Sequence, residues 1–319
     1  MRLYMNKLRT IFMGSPAIAC KLLETVRGNA SCDVVGVVTQ PDRPKGRNLN
    51  MAPCDIKKKA VELGLLVLDP ANINSPESVA VLQDLKPDLY VVLAYGQILK
   101  KAVLSIPRLG PLNIHASLLP KYRGAAPIQW AIANGEKVTG VTAMLMNEKM
   151  DAGDILAMKE VAIADDDDCL SLSAKLEAAG CEVIKDVVSA LASGTVTGQR
   201  QIESDATYAA KLKKEDGLID WNWPAEKICN RVRAFNPWPS CYCITHIHGV
   251  KILKVHKAVR CEGNGKPGQV IGASGEGLIV AAGQHAVGMI EVQEEGRKRM
   301  SGADWAIGSR LKPGMMIAG

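Results

Sequence analysis

"NIHASLLPKYRGAAPIQWAI", residues 113–132, joins a strand end, a turn and the start of a helix. Asn113 and His115 are two positions apart, so on an extended segment both point to one face and Ile114 points to the other. Leu118, Leu119 and Pro120 then form an apolar turn, and Lys121-Tyr122-Arg123-Gly124 a small basic knot. "APIQWAIANG" (126–135) reads as a helix.

The flanking sequence repeats this strand-to-helix alternation. "LRTIFMG" (8–14), "CDVVGVVTQ" (32–40) and "DLYVVLAYG" (88–96) are nearly continuous apolar runs, as expected of strands buried on both faces. Between them, "SPAIACKLLETVRG" (15–28), "CDIKKKAVELG" (54–64) and "PESVAVLQDLKP" (76–87) read as helices. Ser15 stands where an N-cap would, with Pro16 at the first helical position. Further strands are expected at "LLVLDP", at about 110–115, and at "TGVTAMLM" (139–146) and "DILAMKEVAI" (154–163). This order predicts an α/β domain built on a mostly parallel, Rossmann-like sheet. "FMGSPAIA" has one glycine where a dinucleotide fold keeps G-x-G-x-x-G, so a nicotinamide reading gains nothing from it.

After residue 192 the composition changes. "ASGTVTGQRQIESDATYAAKLKKEDG" (192–217) is polar and reads as a linker. Short strands with glycine turns follow: "SCYCITHIHG", "VKILKVHKAV", "GQVIGAS", "EGLIVAAGQ" and "AVGMIEVQ". They suggest a small barrel or sandwich, and the count fits an oligonucleotide-binding-type (OB-like) β-barrel. The expected division is 1–194 for the first domain, 195–212 for the linker and 213–319 for the second.

The chain has 319 residues and a formal charge of +6. Residues 205–319 carry 16 Lys/Arg against 11 Asp/Glu, so the surplus is concentrated in the second domain. That points weakly to a polyanion such as nucleic acid, although such a surplus is common on solvated surfaces. No apolar run approaches the roughly 18 residues of a spanning helix. The N-terminus lacks the apolar core of a signal peptide, so a cytoplasmic location is expected. The nine cysteines have no framework spacing and read as reduced thiols.

Two clusters invite a metal reading. Cys241, Cys243, His246 and His248 resemble a zinc set, but on one strand the cysteines face one way and the histidines the other. The aspartates at 165–168 precede a long amphipathic helix (169–191), where they cap it and complement its dipole. No metal is expected. The placement of Asn113 and His115 is more informative, because ligands bind beyond the carboxyl ends of strands in open α/β sheets. There an amide and an imidazole can hold an oxyanion and move a proton. "MDAGDIL" adds Asp151 and Asp154 around a glycine turn, and either could orient His115. The alternative is a capped turn with a satisfied core histidine.

"NIHASLLPKYRGAAPIQWAI" together with "MDAGDIL" resembles the signature of the 10-formyltetrahydrofolate-dependent formyltransferases. "VVGVVTQPDRPKGR", "VVLAYGQILKKAVLSIPRLGPLNIH", "TYAAKL", "IDW" and "RAFNPWP" extend the likeness, in order, to the members that act on methionyl-tRNA. The resemblance implies a Rossmann-like domain followed by an OB-like barrel. It implies catalytic roles for Asn113, His115 and Asp151, and folate contacts at Ser117, Leu118, Leu119 and Pro120. It also implies a tRNA-entering loop at 41–53 with Arg47 as its key arginine; Asn48-Leu49-Asn50 follow where relatives often have glycine and lysines. The implied co-substrate is 10-formyltetrahydrofolate, the implied partner initiator methionyl-tRNA, and the implied state a monomer. Lys251, Lys254, Lys257, Arg297, Lys298 and Arg299 are candidates for phosphate contacts. The rival readings are a formyl-folate enzyme acting on a small amine or on water, and a non-catalytic nucleic-acid-binding protein.

Overall fold

The computed structural model describes residues 7–45, 50–247, 249–275 and 277–317, and contacts divide it into two compact units. The first unit comprises residues up to 124, 138–162 and 173–208; the second comprises 125–137, 163–172 and the chain from 209 onward.

The first unit is built on a seven-stranded sheet. Its strands are β1 (Leu8–Gly14), β2 (Cys32–Val38), β3 (Val67–Leu68), β4 (Leu89–Leu93), β5 (Pro111–His115), β6 (Val138–Leu145) and β7 (Ile155–Ala162). Across the sheet the order is β7-β6-β5-β4-β1-β2-β3. β3, β2, β1, β4 and β5 pair in parallel, and β6 and β7 extend the sheet antiparallel beyond β5. The mostly parallel expectation therefore holds, with an antiparallel hairpin at one edge.

Four helices of this unit, α1 (Ile18–Gly28), α2 (Asp55–Glu62), α3 (Pro76–Asp84) and α4 (Lys101–Leu104), lie between its strands in the sequence. Every residue of β4 is buried, as its unbroken apolar run implies. On one face Ile11, Met13, Tyr90 and Val92 form a core with Leu82 of α3 and Val103 of α4. The opposite face carries Ile114, against Leu22 of α1 and Gly180. Asn113 is in register with Val92, which places it and His115 on the α3–α4 face at the carboxyl end of β5.

Ser15 does not cap α1. The helix begins at Ile18 after Ala17, with no side-chain cap. The Ser15 hydroxyl instead donates to the Tyr95 carbonyl at 3.0 Å, joining the end of β1 to the loop after β4. Ser75 does cap α3, accepting from the Ser78 N–H.

α5 (Pro127–Ala133) belongs to the second unit. α6 (Cys169–Ser193) follows the acidic run, and its start is capped as expected. Asp168 Oδ1 accepts from the N–H groups of Leu170 and Ser171, each at 2.8 Å. Among the described residues no group of three or more His, Cys, Asp or Glu is disposed to hold a metal ion, and no helix is long and apolar enough to cross a membrane.

The second unit also contains α7 (Ala225–Phe235), α8 (Gly302–Gly308) and an antiparallel sheet. Its strands are β8 (Cys241–Thr245), β9 (Lys251–Cys261), β10 (Val270–Ser274), β11 (Gly277–Ala281), β12 (Ala286–Glu294) and β13 (Met300–Ser301). The order is β8-β9-β12-β11-β10, with β13 paired to β12. Cys241 and Cys243 are buried with Leu253, Val255, Val280 and Met289, while His246 is exposed. The cysteines thus serve as apolar core side chains, and burial pushes both thiols up to about 12. His248 lies outside the described residues.

The sheet of this unit buries a carboxylate. Glu294 is 3% exposed and accepts from Lys251 Nζ at 2.6 Å and from Trp305 Nε1 at 3.1 Å. The Lys251 hydrogen bond is foremost in holding its carboxyl below the ordinary value of 4.5. Its stabilising effect is present above that value and is lost as pH falls through the lower, folded-state value. Lys251→Met is expected to lower stability by about 2 kcal/mol at pH 7, because it leaves a buried carboxylate under-satisfied. The difference from the parent should shrink below about pH 4. Thermal denaturation across pH 3–7 checks both points, and a gap that stayed constant with pH would refute the assignment.

Candidate active site

The site begins at the carboxyl end of β5. Asn113 and His115 are 8% and 6% exposed, so neither is an ordinary surface residue. The loop leaving β5 turns at residues 117–121. There the Ser117 hydroxyl donates to the Lys121 carbonyl at 2.6 Å. Thr142 of β6 clasps the same turn, donating to the Ser117 carbonyl at 2.6 Å and accepting from the Leu119 N–H at 3.1 Å. Leu119 packs with Met144 and Ile155. Leu118 lies over Gly140, where a Cβ would meet it at 2.5 Å.

The turn brings the Tyr122 carbonyl back to His115, 2.9 Å from Nε2. A carbonyl only accepts, so Nε2 carries the proton and the neutral ring keeps its lone pair on Nδ1. Nδ1 faces Asp151 Oδ2 at 3.7 Å, beyond direct hydrogen-bond range. The Asn113 amide nitrogen faces the other oxygen, Oδ1, at 3.5 Å. One carboxylate thus confronts an amide donor and the titratable nitrogen of an imidazole, with slack on both sides.

Asp151 is itself held in an uncommon conformation, with φ at +49°. The left-handed region costs energy for a residue other than glycine, although Asp and Asn tolerate it better than most. Two features hold it there. The Gly124 N–H donates to Asp151 Oδ2 at 2.8 Å. Gly153 packs so closely that a Cβ would lie 1.6 Å from the Leu145 carbonyl oxygen. Asp154, the other aspartate of the motif, is exposed and its side chain has no part in the cluster.

Sequence reasoning brought Asn113, His115 and Asp151 together but missed what lies behind them. Arg123 is 2% exposed, and its Nε and Nη2 donate to Gln201 Oε1 at 3.1 and 2.9 Å. Gln201 Nε2 then donates to the carbonyls of Asp151 and Gly153 at 2.9 and 2.8 Å. Arg123 was visible only as part of a basic knot, and Gln201 only as a polar residue in an expected linker.

Of the four expected folate contacts, Ser117 is wholly buried with its hydroxyl engaged, Leu119 is buried, and Leu118 and Pro120 are half-buried. Arg47 lies outside the described residues. Its loop is flanked by Arg43–Lys45 and Asn50–Ala52, which pair antiparallel. Arg43 donates to Gln40 at 3.0 Å, and Gln40 donates to the Tyr95 carbonyl at 3.2 Å. The loop's base is therefore tied to the crevice at the strand ends.

A mostly parallel α/β sheet with an amide and an imidazole at one strand end, facing a carboxylate from the loop after the neighbouring strand, is an arrangement suited to acyl-group transfer. The chain belongs to the formyl transferase family: its residues 7–188 match the formyl transferase domain and residues 211–310 the formyl transferase C-terminal domain. Among curated relatives, a methionyl-tRNA formyltransferase of Geobacter metallireducens is 45% identical over 315 residues, covering 98% of this chain and 99% of the relative. One of Geobacter sulfurreducens is 43% identical, covering 98% of each. In fold the chain also resembles the N-formyltransferase of Helicobacter canadensis crystallised with folinic acid and dTDP-3-aminofucose. That likeness has a TM-score of 0.65 at 17% identity and covers 88% of this chain and 98% of the other.

The close approach at Gly153 gives a direct test. Gly153→Ala is expected to displace the 151–153 turn and with it the carboxylate. Turnover should fall by up to about 100-fold, the scale on which a misplacement of about 1 Å acts. Unchanged turnover in a folded Gly153→Ala protein would mean that this turn does not set the geometry of the site.

Proposed function

We propose that this chain transfers the formyl group of 10-formyltetrahydrofolate to the α-amino group of methionine on initiator methionyl-tRNA. The observation that carries the proposal is the convergence of Asn113 Nδ2 and His115 Nδ1 on Asp151, at 3.5 and 3.7 Å.

The amine attacks the formyl carbon, and the tetrahedral intermediate places negative charge on the formyl oxygen. The Asn113 amide donates to that oxygen, and His115, having taken a proton from solvent on Nδ1 before the attack and keeping it through the transfer, adds a second donor. Asp151 compensates the imidazolium charge and passes the amine proton towards the departing N10. The slack on either side of Asp151 suits this role, since catalytic hydrogen bonds often tighten only when substrate is bound. The 117–120 turn supplies a wall for the folate through Leu118, Pro120 and backbone groups, because the Ser117 hydroxyl is engaged within the turn.

In this proposal residues 1–194 are the catalytic domain, 195–212 the connecting segment and 213–319 the tRNA-binding domain. The C-terminal sheet is read as an OB-like barrel, supported by its five-strand antiparallel path and by the register shifts that bend β9 around Lys257. The candidate phosphate ligands divide by partnership. Lys251 and Arg297 pair with Glu294, and Arg299 with Glu291. Lys254, Lys257 and Lys298 are exposed, with no carboxylate partner among the described residues, and are the better candidates. The enzyme is taken to act as a cytoplasmic monomer.

Formyl transfer to methionyl initiator tRNA, compared with uncharged tRNA and with water as acceptors, tests the reaction. His115→Ala and Asn113→Ala should each lose about 10²–10³ in turnover while remaining folded. Near-normal turnover in both would refute the assignment. Arg47→Ala should raise KM for tRNA more than KM for the folate, and an equal rise in both would count against its role in binding tRNA.

A further inference from the structure

The polar stretch that reads as a linker is, from residue 199 to 207, stitched across both loops of the site. Gln199 exchanges two backbone hydrogen bonds with Ile155, each at 2.8 Å, beside the 151–153 turn. Two residues on, Gln201 holds the carbonyls of Asp151 and Gly153. Its amide cannot turn over, because its oxygen accepts from Arg123, which can only donate. Arg123 is fixed in turn by Glu203, whose two oxygens both lie 3.0 Å from Nη1. Thr207 holds the other loop: its hydroxyl accepts from the Tyr122 N–H at 2.9 Å, and its carbonyl from the Arg123 N–H at 2.8 Å. The Thr207 N–H donates to the Pro120 carbonyl at 3.3 Å. Tyr122 is the residue whose own carbonyl engages His115.

We propose that residues 199–207 form a strap that sets the spacing of the catalytic pair, with Gln201 the positioning residue for Asp151 and Thr207 the positioning residue for the His115 carbonyl partner. The proposal rests on the role given above to His115 and Asp151. Its physical basis is the 3.7 Å separation of the two groups, which no direct bond maintains. Each group is held by its own loop; the loops meet directly where the Gly124 N–H reaches Asp151 Oδ2, and the strap fastens both from behind, at Tyr122 on one and at the Asp151 and Gly153 carbonyls on the other. The carbonyl of a left-handed Asp151, drawn to a half-buried amide that is locked by a buried guanidinium, cannot drift without breaking the chain of bonds behind it. A pure spacer would need none of these donors.

Gln201→Glu keeps the size and the acceptor for Arg123 but removes the donors to Asp151 and Gly153. It is expected to lower kcat about 10- to 100-fold and to leave KM for both substrates within about twofold. Because Gln201 acts through Asp151, Gln201→Glu added to Asp151→Asn should cost nothing further. A full multiplicative loss in the double variant, or a rise in KM with kcat unchanged, would overturn the proposal. Thr207→Val, which removes only the hydroxyl acceptor, gives an independent arm without turnover. The imidazole nitrogen resonances of His115 should report an Nε2–H tautomer in the parent and move in Thr207→Val. Unmoved resonances in a folded variant would overturn the role of Thr207. A parent enzyme that fails to formylate methionyl-tRNA would refute the functional reading instead, and the resonances would still decide the strap.

Discussion

The hydrogen bond between His115 Nε2 and the Tyr122 carbonyl is the constraint on which the arrangement of the site depends. It fixes the tautomer, and so decides that the nitrogen able to gain and lose a proton is the one facing Asp151. It also explains the shape of the 113–124 segment. The chain leaves β5, turns under Thr142 and returns so that a backbone carbonyl seven residues on meets the ring. The apolar residues in the turn pack against β6 and β7, and the left-handed Tyr122, with φ at +59°, completes the return.

Much of this was legible from residue spacing. A two-residue step on a strand puts Asn113 and His115 on one face, and the strand order puts that face at a carboxyl end. Spacing did not separate Asp151 from Asp154, a choice that the family resemblance made, because it depends on a left-handed residue and on a glycine packed against the Leu145 carbonyl. Ser15 resembled a cap in every local respect. Its hydroxyl went to Tyr95, 80 residues away, because the end of β1 lies beside the loop after β4. Arg123 was the hardest to read. A lone basic residue in a loop implies solvent, and only the distant Gln201 and Glu203 make its burial tolerable.

In the second unit, alternation along β8 and into the residue after it separated buried thiols from the exposed His246, which a motif of cysteines and histidines would have joined. Charge counting was less discriminating. It identified a basic domain but could not distinguish lysines that face solvent from Lys251, which offsets an enclosed carboxylate. Surplus charge and available charge are different quantities, and only side-chain pairing separates them.

The partners of Arg123 bear on how the protein is made. Its guanidinium is bonded to residues 78 and 80 positions later in the chain. A ribosome therefore releases every strand of the central sheet before it releases the groups that complete the site. Until then Arg123 lacks the partners that accompany its burial in the finished fold. The last contacts of this loop thus come from chain made after the scaffold that they fasten.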